Sequence, residues 1–514
     1  MLQSVLCCCR KPSVLQSRSS VLRLCFLLYC LFFLRDHLLA QNQAPQHGQR
    51  IEQLVITNAM MVDGNATPAE GPVDIIIQKN RIVRLARSKP EADYLKSASA
   101  VIDATGKYVL PGFINMHGHL QDERAGKPLP FEYQYKLWLG AGITTIRDVG
   151  SNIEKALVEK RKSSANEIPA PRIWLYMWCP GGNSEAEIRA KVRELKTRGA
   201  DGLKCHQLDR DTFLIVADEA KKLGLKIAHH VGVKDANAWH DAAAGTATIE
   251  HWYGVPDAAL EGVQPFPPDF NYSNELHRFR YAGRLWREAR PEKLQKVLQA
   301  LVDAGVAWNP TLCIYEASRD LVRAISQPWF KDYLHPSLEA FFTPNPENHG
   351  SFFFGWTNTD EVFWKENYRI WMKAVRDFAN LGGIVTTGED AGFIYQMYGF
   401  GYLRELELHE EAGFHPLEVI AHATGNGAKV LGMSHELGRI KPGYLADVIV
   451  VNGNPLENLH ILFPTGIEPV LDRQREGRGG VEWTIKDGIP YHAPTMFAEV
   501  KEIVKAARAK ASTD

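Results

Sequence analysis

Six times between Gly140 and Asp390 the chain stops on a glycine and runs directly into a short apolar segment. The segments are Gly140-Ala-Gly-Ile-Thr-Thr-Ile-Arg147-Asp148, Asp201-Gly-Leu-Lys204-Cys205 after Gly199, Leu225-Lys-Ile-Ala-His229-His230 after Gly224, Thr246-Ala-Thr-Ile-Glu250-His251 after Gly245, Gly305-Val-Ala-Trp-Asn-Pro-Thr311, and Gly382-Gly-Ile-Val-Thr-Thr-Gly-Glu389-Asp390. Glycine ends helices because it takes the left-handed conformation freely, and short apolar runs bounded by such stops read as strands. Helical periodicity lies between them. Ser184-x-x-Glu187 is a capping box ahead of Ile188, Val192 and Leu195. A second helix carries Phe213, Val216, Ala217, Ala220 and Leu223, and a third is expected from about Val233 to Ala244. Strand–helix units repeated this often require a parallel sheet and predict an α/β (β/α)8 TIM-like barrel. The alternative is an open doubly wound sheet, for which the sequence offers no glycine-rich phosphate loop after the first strand.

The flanks read differently. From Ile51 to about Val109, and again over Gly438–Asn452 and Val481–Tyr491, short strands alternate with turn dipeptides such as Asp63-Gly64 and Lys486-Asp-Gly. Neither end carries enough strands for its own core, so a small composite β-sandwich built from both ends is expected. The resulting division is a leader at 1–40, sandwich parts at 51–110 and 437–493, a barrel at 111–436 and a C-terminal helix at 494–514.

Arg10, Lys11, Arg18 and Arg23 precede an apolar run from Leu24 to Leu34, and Leu38-Leu39-Ala40 leads into polar residues. That pattern fits a secretory signal and an exported protein, with an uncleaved N-terminal anchor as the alternative. Five of the eight cysteines lie in this leader. Cys179, Cys205 and Cys313 remain, too few and too widely spaced for a disulfide framework. With a net charge of −1, nothing in the composition argues for nucleic-acid binding. The expected partner is a small molecule or short peptide, with no stable membrane association once the leader is removed and with room for a homo-oligomer.

Catalytic groups of a barrel sit at the C-terminal ends of its strands. Gly112-Phe-Ile-Asn-Met-His117-Gly-His119 reads as a buried strand whose two histidines share one face, an arrangement suited to a divalent cation. Lys204, His229 or His230, His251 and Asp390 fall at further strand ends. Each alone has an ordinary explanation, such as a snorkelling lysine, a core histidine or a helix cap; five together point to a metal site.

These motifs, with Gly142-Ile-Thr-Thr-Ile-Arg147-Asp148, Ile249-Glu-His251, Gly388-x-Asp390 and Leu437-Gly-x-Ile440-x-x-Gly-x-x-Ala446-Asp447, resemble the amidohydrolase superfamily, in particular its imidazolonepropionase-like and Xaa-Pro-dipeptidase-like branch. The resemblance spans Ile51 to about Tyr491. It implies a binuclear metal-dependent hydrolase of amide bonds. His117, His119 and Asp390 would hold one divalent ion, His229 and His251 the other, and a carbamate on Lys204 would bridge them. Zinc is the default for so nitrogen-rich a donor set. A metal-bridged hydroxide would attack the carbonyl, with Asp390 shuttling its proton to the leaving nitrogen. Three positions depart from the family pattern. His229 and His230 are adjacent, so only one faces inward; His229 is favoured from its place before Val231-Gly232, which leaves His230 as a candidate substrate contact. Val231 stands where tyrosine or histidine is common, and Glu389 where threonine is common.

Seven of the twelve tryptophans lie between Trp252 and Trp371, in a stretch longer than two strand–helix units need. It would roof the site and form an aromatic wall for an apolar acyl or peptide substrate, or simply pack itself onto the barrel. Arg147, Arg278 and Arg280 are candidates for a substrate carboxylate, or ion-pair partners. A dipeptide or an N-acyl amino acid is the expected substrate. Lactone or ester hydrolysis on the same site is the alternative, and a non-catalytic binding protein the remaining one.

Overall fold

The computed structural model describes residues 44–206, 208–231, 235–262, 270–271, 274–346, 348, 350–351, 353–464 and 479–511. The expected leader lies outside them. Among the described residues no helix is long and apolar enough to cross a membrane.

The chain opens with β1 (Gln53–Met61), β2 (Glu70–Gln78), β3 (Arg81–Arg87), β4 (Ala100–Asp103) and β5 (Tyr108–Pro111). The strand β6 (Phe113–Gly118) follows at once, then a two-residue hairpin, β7 (Glu123–Arg124) and β8 (Lys127–Pro128). Strand–helix units then deliver β9 (Ile143–Val149), β10 (Arg172–Trp178), β11 (Gly202–His206), β12 (Lys226–His230), β13 (Thr248–Glu250) and β14 (Ala307–Asn309). The chain closes with β15 (Val448–Val451), β16 (Val481–Lys486), β17 (Ile489–His492) and the helix Ala493–Ala511.

Both ends share one sheet, ordered β17-β16-β15-β5-β1-β2-β3, with β4 beside β1. The join is antiparallel β5–β15, where Val109 faces Val450. The expected sandwich is thus a single continuous eight-stranded sheet, whose two chain ends bury Leu54, Ile56, Ile75, Val448 and Ile485 together.

The middle forms a parallel sheet ordered β6-β9-β10-β11-β12-β13-β14. An eighth extended segment closes it. Trp308 N donates to Ile384 O at 2.8 Å on one side, while Met116 N donates to Thr387 O and Asp390 N to His117 O, both at 2.9 Å, on the other. The barrel predicted from the glycine stops is therefore present. Its helices start where the sequence caps them: Ser184 Oγ accepts from Glu187 N, and Asp209 accepts from Thr212 N. The third helix runs Ala238–Ala244 rather than from near Val233, because Asn237 caps it by accepting from Trp239 N.

The cysteine expectation needs correction. Cys179 and Cys205 form a disulfide, with Cα atoms 4.8 Å apart. Twenty-six positions separate them in sequence, but β10 and β11 are neighbours, so their ends lie side by side. Cys313 is a buried free thiol.

Candidate metal centre

Register decides which side chains meet inside the barrel. Lys204 pairs with Ala228 and His206 with His230, while Cys205 pairs with His229. Alternation with a period of two then puts Lys204, His206, Ala228 and His230 on the inward face, and His229 on the outer one. The rings agree. His229 stacks on Phe213 of the helix Arg210–Lys222 at 4.1 Å, and its Nδ1 lies 2.8 Å from Asp241 Oδ1. His230 lines the central cavity with its ring 4.6 Å from that of His251. The choice of His229 as the inward histidine is thereby corrected: the pair is adjacent, and only the pairing with Lys204 fixes which member turns in.

His117, His119, Lys204, His251 and Asp390 all line this cavity of about 410 Å³. His119 Nε2 is 3.0 Å from Asp390 Oδ1, His117 Nε2 is 3.6 Å from the same oxygen, and His251 Nε2 is 3.7 Å from Asp390 Oδ2. Lys204 Nζ stands 3.4 Å from His117 Nε2. His251 and Asp390 reach inward from left-handed backbone, φ 63° and 48°, which non-glycine residues adopt only when the surroundings enforce it. Gly388 clears the way. A Cβ there would lie 2.6 Å from His117 Cβ.

A deeper layer sets the tautomers. Glu250, fully buried, takes the Nδ1 proton of His117 in a 2.6 Å hydrogen bond, which leaves the Nε2 lone pair facing the cavity. Thr311 Oγ1 donates to Pro310 O, so it accepts from His251 Nδ1 at 2.5 Å and orients that ring likewise. Glu250 is a residue sequence reasoning missed; its place beside His251 in a buried strand was the available signal. Glu389, also buried, accepts from Asn115, Trp138, Gly399 N and Tyr402 N, tying the segment that carries Asp390 to the helix Phe400–Glu411.

Arg147 takes the second of the two roles sequence reasoning allowed it, an ion-pair partner. It exposes no surface, donates from Nε to Met116 O at 2.6 Å and from Nη2 to Glu250 Oε1 at 2.5 Å, and lies under the cluster rather than facing substrate. Its strand position is mid-barrel, two residues short of the end of β9. Arg280 pairs with Asp360 at 3.1 Å, and the Arg278 side chain lies outside the described residues. Arg124, on β7, does line the cavity. It is 7% exposed, its guanidinium sits 4.3 Å over the Phe393 ring, Nε donates to Gly392 O at 3.0 Å, and Nη2 finds no acceptor. Tyr253, Phe279 and Tyr315 wall the opposite side, while Trp252, Trp364 and Trp371 are buried behind them. The tryptophan-rich stretch therefore does both things: it packs onto the barrel and lends three rings to the cavity. Phe266, Tyr272 and Phe352 lie outside the described residues.

The electrostatics suit a cation. Burial, reinforced by Lys204, lowers His117 to about 4, and burial holds His251 well below its ordinary value, so both rings are neutral. Burial raises Asp390, but His117, His119 and His251 outweigh it and keep the carboxylate below its usual range. Burial brings Lys204 down to about 8. His117, His251 and Asp390 each offer a ligand atom within 4.8 Å of the others. Two lone pairs and an ionised oxygen in one buried cluster form a donor set that fits a divalent ion.

The chain matches the amidohydrolase family over residues 108–263 and 369–471, about half its length. It is 31% identical to a 5-methylthioadenosine/S-adenosylhomocysteine deaminase of Syntrophomonas wolfei subsp. wolfei over 395 residues, 74% of this chain and 80% of that protein. A dihydroorotase of Thermoanaerobacter sp. is 39% identical over 69 residues, 13% of this chain and only 14% of that relative. Among solved structures, a Xaa-Pro dipeptidase with bound methionine matches 86% of this chain and 100% of its own at a TM-score of 0.59 and 19% identity, a likeness of fold. Motifs, barrel and family match coincide: the chain belongs to the amidohydrolase family.

Proposed function

We propose that this protein is a metal-dependent hydrolase cleaving the amide C–N bond of a small substrate that carries a carboxylate, such as a dipeptide or an N-acyl amino acid. The observation that carries this reading is Arg124, a guanidinium buried in the cavity wall, with one nitrogen lacking an acceptor, above a His/Asp cluster fit for metal. A buried guanidinium nitrogen short of an acceptor is costly, and a substrate carboxylate would supply one. The dipeptidase likeness points the same way.

Two divalent ions, zinc by the donor set, would be held by His117, His119 and Asp390 and by His230 and His251, with Lys204 between as a carbamate. His230 replaces His229 in this set because it is the one that faces the cavity. When bound, such ions activate water and polarise a carbonyl. The chain's own groups do the rest. Asp390, held ionised, takes the water's proton and returns it to the leaving nitrogen. Arg124 orients the carboxylate, and Tyr253, Phe279 and Tyr315 shield the acyl group from solvent. The deaminase relative suggests another C–N hydrolysis, but a buried lysine inside the cluster favours the bridged, two-ion form. The Cys179–Cys205 bond supports an exported protein, since disulfides persist in oxidising compartments.

The test is an assay of metal-loaded protein against pooled dipeptides, N-acyl amino acids, lactones and simple esters. Release of free amino acid, abolished by a chelator and restored by zinc, is expected. Turnover confined to lactones or esters would replace this reading.

A further inference from the structure

Five imidazoles ring the cavity, those of His117, His119, His206, His230 and His251, and the proposed ligand set uses four. His206 is the fifth. It follows Lys204 by two positions on β11, hence on the same face but about 6.6 Å nearer the mouth, where a substrate resting on the floor would lie. Its ring packs 4.5 Å from His230 and 6.1 Å from Trp178, whose ring in turn rests on Gly150, where a Cβ would stand 2.4 Å from the indole.

The backbone under His206 is pinned from its outer side. Cys205, between Lys204 and His206, turns outward and is fully buried in its disulfide with Cys179. Cys179 N also donates to Lys204 O at 2.8 Å. The covalent bond and the hydrogen bond together fix the last peptide units of β11. We propose that His206 contacts the substrate, donating a hydrogen bond to the carbonyl oxygen of the scissile amide, and that the Cys179–Cys205 bond holds it in position. The inference rests on the amide-hydrolase reading above. A donor placed where negative charge develops on that oxygen strengthens as the bond is attacked, so its effect falls on kcat more than on KM.

The experiment uses the full chain loaded with zinc, comparing wild type with His206→Ala, His206→Gln and the double variant Cys179→Ser/Cys205→Ser. Expected for His206→Ala are an unchanged metal content and Tm, a kcat lower by about 100-fold with KM within a few-fold, and partial recovery in His206→Gln, which keeps a donor. An N-alkylphosphonyl amino acid, tetrahedral and anionic at phosphorus, is the binding probe, read by calorimetry. Its Kd should rise at least about tenfold in His206→Ala and comparably in the cross-link variant, with no further rise when both changes are combined. Unchanged kcat and phosphonate Kd in His206→Ala would overturn the proposal. So would loss of zinc from it, which would make His206 a ligand. Because the probe is bound and not turned over, its result stands even if the wild type hydrolyses no amide and the function proposed above fails.

Discussion

Arg147 and Glu250 form an ion pair at 2.5 Å with neither side chain exposing any surface, and Glu250 hands that order on by accepting the Nδ1 proton of His117. Arg147 therefore acts on the site from below. Replacing it by methionine leaves Glu250 buried and uncompensated, a cost of about 3–5 kcal/mol, and frees the His117 ring, which should weaken metal binding by about 10–100-fold. Chemical denaturation and zinc titration measure both. If Arg147→Met instead raised KM alone, with stability and zinc affinity intact, it would be a substrate contact after all.

His229 and His230 should separate cleanly. His230→Ala is expected to lose bound metal and nearly all activity while its Tm changes little. His229→Ala should keep its metal but lose about 1–3 kcal/mol of stability, since Asp241 Oδ1 then loses one of its two partners and faces only Thr246 Oγ1. Metal analysis of the two purified variants decides it, and the reverse pattern would restore His229 as the inward residue.

This pair also marks the limit of what the sequence discloses. His117-x-His119 could be read because period-two alternation operates within one strand. Choosing between His229 and His230 requires the register between strands, the pairing of Lys204 with Ala228, and no local pattern encodes that. The Cys179–Cys205 bond was hidden for the same reason, since it depends on β10 and β11 being neighbours. Glycine stops and caps, which act within a few residues, placed the barrel's units correctly. Arg147 and Glu250 looked like strand-end chemistry or ordinary polar residues because their roles depend on depth in the barrel, and depth becomes visible only when the strands are assembled.

Lys204 should show its role through carbon dioxide. Burial lowers its pKa to about 8, so a useful share of neutral amine exists near neutrality to attack CO2, forming the N–C bond of a carbamate and releasing a proton. Zinc uptake by metal-free protein should then be slow in CO2-depleted buffer and accelerate with added bicarbonate. Lys204→Ala should lose one of two ions and most activity, and its residual uptake should ignore bicarbonate. Equal uptake by the wild type with and without bicarbonate would remove the carbamate.

Acid should weaken the fold through His422. Burial, with His409 and Arg376 adding to it, holds this histidine well below its ordinary value of 6.5. In the unfolded chain it protonates near 6.5 and in the folded one it does not, so below that pH the unfolded state binds more protons and stability rises with pH. The loss on acidification approaches about 1.4 kcal/mol per pH unit for one such group. Between pH 7 and 5.5 the wild type should thus lose about 1 kcal/mol more than His422→Gln does. Urea unfolding at the two pH values reads the difference directly, and parallel losses in both proteins would show that His422 titrates alike folded and unfolded.

Arg124 should act chiefly on substrate. It contributes no ligand atom to the cluster, its Nε is already satisfied by Gly392 O, and its Nη2 makes no hydrogen bond of good geometry. A charge-assisted hydrogen bond contributes about 1.5–3 kcal/mol, so Arg124→Ala should cut kcat/KM for an N-acyl amino acid by about 10–150-fold. The same substrate as its methyl ester or amide has no charge to pair, and its kcat/KM should change only a few-fold. Arg124→Lys keeps the charge but not the planar fork that stacks on Phe393, so it should recover only part of the loss. The ratio of the acid to the ester rate is the quantity to follow, because damage to the fold or to metal binding lowers both rates together and leaves the ratio where it was. A ratio unchanged in Arg124→Ala would place the carboxylate elsewhere, or dispense with it.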